Sequence, residues 1–198
     1  VKVTALEEIT MEIHAGEFVA VMGPSGSGKS TLLNILGILD TPSGGKYYLE
    51  DHDITHLSDK EQARIRNQHF GFVFQSFNLF PELSAIENVM LPMSYAGKSF
   101  AQRRQRAEEF LDWLGMSHRI HHLPSMMSGG EQRLLDFARS MMLKPRLILV
   151  DEPSAGLAPK VVDMVYDTIQ QMSASGLGFL IVEQDVSTIL RRAKYIYA

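Results

Sequence analysis

Short unbroken runs of apolar residues recur along this chain, separated by stretches in which apolar positions return every three or four residues. Phe18–Met22, Gly71–Phe74, Leu147–Val150 and Phe179–Val182 are such runs, and each reads as a strand buried on both faces. Ile9 to His14 instead alternates apolar with polar, the pattern of a half-buried strand. Ala15-Gly16 turns it toward Phe18, so an N-terminal antiparallel β hairpin is expected. Lys46 to Glu50 adds a strand, and Tyr195 to Tyr197 begins a last one after a short helix.

Helical periodicity fills the intervals. A helix opens at Lys29 with Leu32, Leu33, Ile35, Leu36 and Leu39 inward, and Pro42-Ser43-Gly44-Gly45 ends it. Ser58 and Glu61 form a capping box before a short basic helix, with Arg64 and Arg66 on its solvated face. Further helices run from just after Ser128-Gly129-Gly130 to about Leu143 and from about Pro159 to Met172.

Between Ser76 and Pro124 no strand signal appears, while Ser84 with Glu87 and Ser99 with Gln102 cap two more helices. The second carries Ala107, Phe110, Leu111 and Leu114 on one side. Arg103-Arg104-Gln105-Arg106 is read as a solvated face, Trp113 as core, and Met90, Met93, Met116, Met126 and Met127 as core and interface filler. The expectation is therefore an α/β protein with a mostly parallel sheet and a helical insert. Residues 1–75 and 125–198 form the core, and residues 76–124 the helical subdomain.

Composition narrows the class. The 198 residues carry 19 basic and 23 acidic side chains, a net charge of −4, which gives no reason to invoke a nucleic-acid partner. The absence of cysteine excludes disulfides and thiolate metal sites and points to an intracellular location. The seven histidines show no ligand spacing on one face and are read as surface residues. No apolar run approaches a membrane span and no signal peptide is visible. Val1 is not a methionine, so trimmed ends are expected.

Three stretches carry chemistry. Gly23-Pro24-Ser25-Gly26-Ser27-Gly28-Lys29-Ser30-Thr31 fits G-x-x-x-x-G-K-[ST] between a strand and a helix. The glycines let backbone N–H groups turn inward, and the helix N-terminus adds its positive end. Lys29 then reaches the β- and γ-phosphates, and Ser30 offers its hydroxyl to Mg²⁺. In Leu147–Glu152, an apolar strand ends in two carboxylates. Asp151 is placed to hold the metal's water shell, and Glu152 to act as general base on an attacking water. Finally, Ser128-Gly129-Gly130 precedes a helix, a second recipe for gripping phosphate. One phosphate loop already serves the chain's own nucleotide. A second grip implies a nucleotide shared across a dimer.

GPSGSGKST, FQSFN around Gln75, MSGGEQ and LILVDEP, in this order and over essentially the whole chain, resemble the ATPase subunit of ATP-binding cassette (ABC) transporters. The resemblance implies a P-loop NTPase core and a head-to-tail dimer that sandwiches two ATP molecules. It implies that Gly23 to Thr31 bind the triphosphate with Mg²⁺. Gln75 would sense the metal and γ-phosphate and link to a transmembrane permease subunit through the helical subdomain. Ser128, Gly129 and Gly130 would touch the γ-phosphate held by the second ATPase subunit. The implied place is the cytoplasmic face of the cell membrane, and the implied work is ATP hydrolysis driving transport.

Departures qualify the resemblance. Where the family carries a histidine, IVEQD places Gln184, which donates a hydrogen bond but cannot become cationic; slower hydrolysis is expected. Ala158 stands where aspartate is common, and Asp136 where a small apolar residue is usual; a solvated or capped carboxylate is expected there. The family's adenine-stacking aromatic would precede Val1, so weaker adenine affinity is expected. Residues up to about Pro124 are similar to the lipoprotein-release and macrolide-efflux type, and those from about Met127 to the branched-chain amino-acid uptake type. The alternatives are a soluble ABC-type ATPase acting on DNA or ribosomes, and a nucleotide-binding fragment with little hydrolysis.

Overall fold

Phe18–Met22 forms β1, and all five residues are buried because side chains on both faces of the strand are covered. The computed structural model describes residues 4–185, 189 and 195–197. Within them, β1 shares a sheet with β4 (Phe70–Val73), β5 (Leu147–Asp151), β6 (Gly178–Glu183) and β7 (Tyr195–Tyr197). The order is β4-β5-β6-β1-β7 and every pairing is parallel. Registers such as Met22↔Glu183 and Asp151↔Val182 bring the carboxyl ends of the strands level along one edge. That edge is where ligands bind in open parallel sheets. Of the short helix expected before Tyr195, only Ile189, which is helical and buried, falls within the described residues.

Helices cover both faces, as parallel crossovers require. Alternation along the strands sends Ala20, Ile148, Val150, Phe179 and Ile181 to one face, against Phe137, Val165, Tyr166 and Ile169. These come from α5 (Gly129–Met141) and α6 (Pro159–Ala174). Val19, Val21, Leu149, Leu180 and Val182 line the other face, against Leu32 and Leu33 of α1 (Lys29–Leu36). A third cluster joins α3 (Ala85–Tyr95) and α4 (Phe100–Trp113) to α5 through Val89, Met90, Met93, Ala107, Leu111, Leu134 and Leu135. α5 therefore packs into two cores at once, with Phe137 on the sheet and Leu134, Leu135 and Ala138 on the helical side.

The antiparallel pair is formed elsewhere than expected. β2 (Tyr48–Leu49) and β3 (His52–Asp53) make it, whereas residues 9–14 join no ladder. β1 is already flanked by β6 and β7, so it has no open edge for an N-terminal hairpin. The helix from Lys29 also ends earlier, with Gly37 as its C-cap. A Cβ there would stand 2.4 Å from the Phe72 ring, so only glycine permits this approach to the sheet. Leu39, beyond the helix, is left exposed.

Capping boxes at Ser58/Glu61, Ser84/Glu87 and Ser99/Gln102 form as read. Trp113 is 48% exposed rather than core; two positions past the buried Leu111, it lies on the opposite face of the helix. Met90, Met93, Met116 and Met127 are buried, and Met126 is exposed. The basic side chains are less solvated than expected. Arg66 donates to the Ile38 carbonyl at 2.7 Å, and Arg106 donates to those of Met142 and Met141 at 2.8 and 3.0 Å, capping the end of α5. Arg103 bonds Ser94, while Arg104 pairs with Glu108 in the exposed manner expected. Among the described residues, no helix is long and apolar enough to cross a membrane.

Candidate active site

The loop between β1 and α1 wraps around Lys29. Gly28, the N-cap of α1, has φ 89° and Gly26 has φ 80°, left-handed conformations that glycine adopts without strain. A Cβ on Gly28 would also meet the Ala5 carbonyl oxygen at 2.5 Å. Lys29 is buried, and its ammonium donates to the carbonyls of Gly23 and Pro24, each at 2.8 Å. Pro24, Ser25, Gly26 and Ser27 are exposed around it. The first turn of α1 holds no acidic side chain, so the positive helix end at Ser30 and Thr31 is free to meet an anion.

The ends of β5, β4 and β6 bring the other groups here. The Ser30 hydroxyl donates to Asp151 Oδ1 at 3.4 Å, across 121 positions. Burial pushes the Asp151 carboxyl above its ordinary value; the Ser30 hydrogen bond and Lys29 oppose this, and neighbouring Glu152 and Glu183 add to it. Glu152 sits at φ 42°, an unusual backbone for a side-chain-bearing residue and one that clusters at functional sites. Its N–H is held by the Val182 carbonyl at 2.9 Å. Its carboxylate is held at both oxygens: Gln75 Nε2 donates to Oε2 at 3.0 Å, and Gln184 Nε2 donates to Oε1.

Glu183 was not singled out from the sequence. It is buried, and its carboxylate accepts from the Tyr166 hydroxyl at 2.9 Å and the Ser154 N–H at 3.0 Å. It thereby ties the loop after Glu152 to the strand end that presents Gln184. A carboxylate closing an otherwise apolar strand run is the signal that points to it.

Ser128, Gly129 and Gly130 are not gathered with these groups. Ser128 is the N-cap of α5; its hydroxyl meets Glu131 Oε2 at 2.9 Å and accepts the Glu131 N–H at 3.3 Å. This fourth capping box escaped the sequence reading because the same residues also spell a phosphate grip. Backbone and hydroxyl bonds from Ser128, with Arg119 at 2.8 Å, hold Glu131 below the usual carboxylate range. The solvated or capped carboxylate expected at Asp136, further along α5, is fully buried, which overturns the first alternative, and pairs with Arg139.

The profile of the ABC transporter family matches residues 6–155. The chain belongs to this family. The macrolide export ATP-binding/permease protein MacB of Brucella abortus is 47% identical over 91% of this ABC cassette, which spans 28% of that protein. The lipoprotein-releasing system ATP-binding protein LolD of Shewanella denitrificans is 41% identical, with 96% of this chain and 82% of LolD covered. The dimeric structure of the bacterial ABC transporter cassette MJ0796 superposes with a TM-score of 0.87 at 38% identity, over 98% of this chain and 85% of that one.

This ABC cassette is thus an ATP-binding subunit of the transporter ATPase type. Among its described residues, no cluster of three or more His, Asp or Glu side chains forms a metal site. The Ser30–Asp151 pair supplies two hard oxygen donors. That set fits Mg²⁺, which takes one or two protein ligands and completes its shell with substrate phosphates and water.

Proposed function

We propose that this cassette hydrolyses ATP beneath a transmembrane permease, on the inner face of the membrane, and drives transport as two copies close around nucleotide. The observation that carries this reading is the grip on Glu152, whose two carboxylate oxygens are each held by a glutamine amide beside the Ser30–Asp151 pair.

In this reading Gly23 to Thr31 cradle the triphosphate, and Lys29 exchanges its loop carbonyls for β- and γ-phosphate oxygens. Ser30, Asp151 and Gln75 hold Mg²⁺, which screens the phosphate charge when bound. Glu152 takes the proton of the attacking water. Gln184 orients that carboxylate and donates toward the γ-phosphate. Ser128, Gly129 and Gly130 present a hydroxyl and a helix N-terminus to the nucleotide of the other copy. Residues 76–124 form the helical subdomain that faces the permease, as the Gln75 loop does. MJ0796 has been captured in dimeric form with ADP and Pi after hydrolysis, which supports assigning the same cycle to a chain 38% identical to it.

Glu152→Gln tests the reading. The variant removes the proton acceptor and keeps the shape, so phosphate release falls by at least 100-fold and ATP drives a stable dimer visible by size-exclusion chromatography. Phosphate release at the parental rate would refute it.

A further inference from the structure

Beyond Ser128-Gly129-Gly130, α5 carries Arg133, Asp136 and Arg139, each three positions apart. That spacing stacks them on one helix face, and the face meets the loop that follows β4. Arg133 donates to the carbonyls of Phe74 and Gln75, the latter at 2.9 Å. Its guanidinium also lies over the Phe77 ring, 4.8 Å from the centroid. Arg139 donates to the carbonyls of Asn78 at 2.6 Å and Phe77 at 3.4 Å. Four backbone carbonyls of the loop bearing Gln75 are therefore held from one helix.

Asp136 stands between the two arginines. Its Oδ1 accepts from Arg139 at 2.5 Å, and its Oδ2 lies 4.0 Å from Arg133 without a hydrogen bond. The side chains of Arg133 and Asp136 are fully buried and that of Arg139 is 15% exposed. A buried guanidinium without a counter-charge is expensive, and two on adjacent turns repel each other. The carboxylate offsets both charges and sets the angle at which each fork meets the loop. On its far side the loop is anchored by Asn88, which exchanges hydrogen bonds with both the N–H and the carbonyl of Phe80.

We infer that Asp136 is a positioning residue for hydrolysis: through Arg133 and Arg139 it locks the Phe74–Asn78 backbone to the helix that starts at Ser128. Gln75 and the Ser128 phosphate grip then move as one body. α5 suits this role because it is packed into both cores and spans about 16 Å from Ser128 to Arg139. Arrival of a partner's phosphate at Ser128 is thereby transmitted as a rigid displacement to the amide that holds Glu152. The inference rests on the roles proposed above for Gln75, Ser128 and Glu152.

The test is Asp136→Asn in the full chain, which keeps volume and one acceptor but removes the charge. At pH 8 its kcat for ATP hydrolysis falls about tenfold, while KM stays within twofold, because the phosphate loop is untouched. Amide exchange speeds up across residues 74–79 and is unchanged across residues 23–31. Arg139→Gln, at the less buried partner, gives the same pattern and serves if Asp136→Asn does not fold. A kcat within twofold of the parent overturns the inference. So does a loss in which kcat, KM and exchange of both segments change together, since that is mere destabilisation. Failure of the underlying reading shows separately, as parental turnover in Glu152→Gln.

Discussion

Gln75 donates its side-chain amide to Glu152 at 3.0 Å, across 77 positions of sequence. The bond joins the end of one strand to the residue after another, and Gln184 closes the opposite side of the same carboxylate. Glu152 is thus fixed in direction at a residue whose φ of 42° is itself unfavourable, by about 1–3 kcal/mol. The neighbouring Val182 carbonyl, which holds its N–H, keeps it there.

In the proposed cycle, Gln184→His replaces a neutral donor with one that can carry charge toward the γ-phosphate. Charge-assisted hydrogen bonds are roughly twice as strong as neutral ones, so turnover is expected to rise by about 3–10-fold with ATP affinity unchanged. Steady-state phosphate release with a parallel nucleotide titration checks this, and equal turnover in the two proteins rejects it.

Gly28→Ala fails on two counts: the residue has φ 89°, and the new methyl carbon would lie 2.5 Å from the Ala5 carbonyl oxygen. ATP binding, followed with a fluorescent nucleotide, is expected to weaken by at least 100-fold, about 3 kcal/mol. The far-UV spectrum stays native, because the strain is local to the loop. Gly26→Ala is expected to be milder, since a Cβ there meets nothing within 4 Å.

Ser128 caps α5 and, in the proposed cycle, also offers its hydroxyl to the partner's nucleotide; substitution separates the two. Ser128→Ala removes the N-cap of α5, costing about 1 kcal/mol, or roughly 2–4 °C in melting temperature for a chain of this size. It also removes the hydroxyl that the proposed cycle offers to the partner's nucleotide. Ser128→Asn restores a cap but is larger, so its melting temperature is expected to match the parent while ATP-driven dimerisation stays impaired. Dimerisation restored by asparagine would mean that the cap alone matters.

Stability should carry a pH signature from Asp136. Burial pushes its carboxyl up from 3.8 to about 7, against the opposing pull of Arg139 and Arg133. Between these values the folded state binds a proton that the unfolded state lacks, so this group's contribution falls as pH rises from about 4 to about 7 and is level above that. The stability difference between the parent and Asp136→Asn, measured by urea melts at pH 5 and pH 8, is therefore expected to shift against the parent at the higher pH. An opposite shift would show that the two arginines outweigh burial.

Much of this was legible in the chain. The buried strands announce themselves as apolar runs, and the phosphate loop, Gln75, Asp151, Glu152 and Gln184 each sit at or just beyond a strand end, where a parallel sheet must bring them together. What stayed hidden depends on neighbours distant in sequence. Ile9 to His14 alternates like a strand, but pairing needs an open edge, and β7 takes the one beside β1. Trp113 is apolar in type, yet its direction is set by Leu111 occupying the inner face. Asp136 reads as solvated or capped until Arg133, one turn before, is seen to be buried with it and Arg139, one turn after, to pair with it. The R-x-x-D-x-x-R spacing was the available signal.

The double packing of α5 bears on how this cassette can be recombined. The bonds from Arg133 and Arg139 cross from the later part of the chain to the carbonyls of Phe74–Asn78. Any chimera joined between residues 79 and 128 splits that contact set between two parents. If the Gln75 loop meets the permease as proposed, exchanging it to redirect the cassette calls for moving α5 with it, and the transferable unit is a loop and a helix some fifty residues apart.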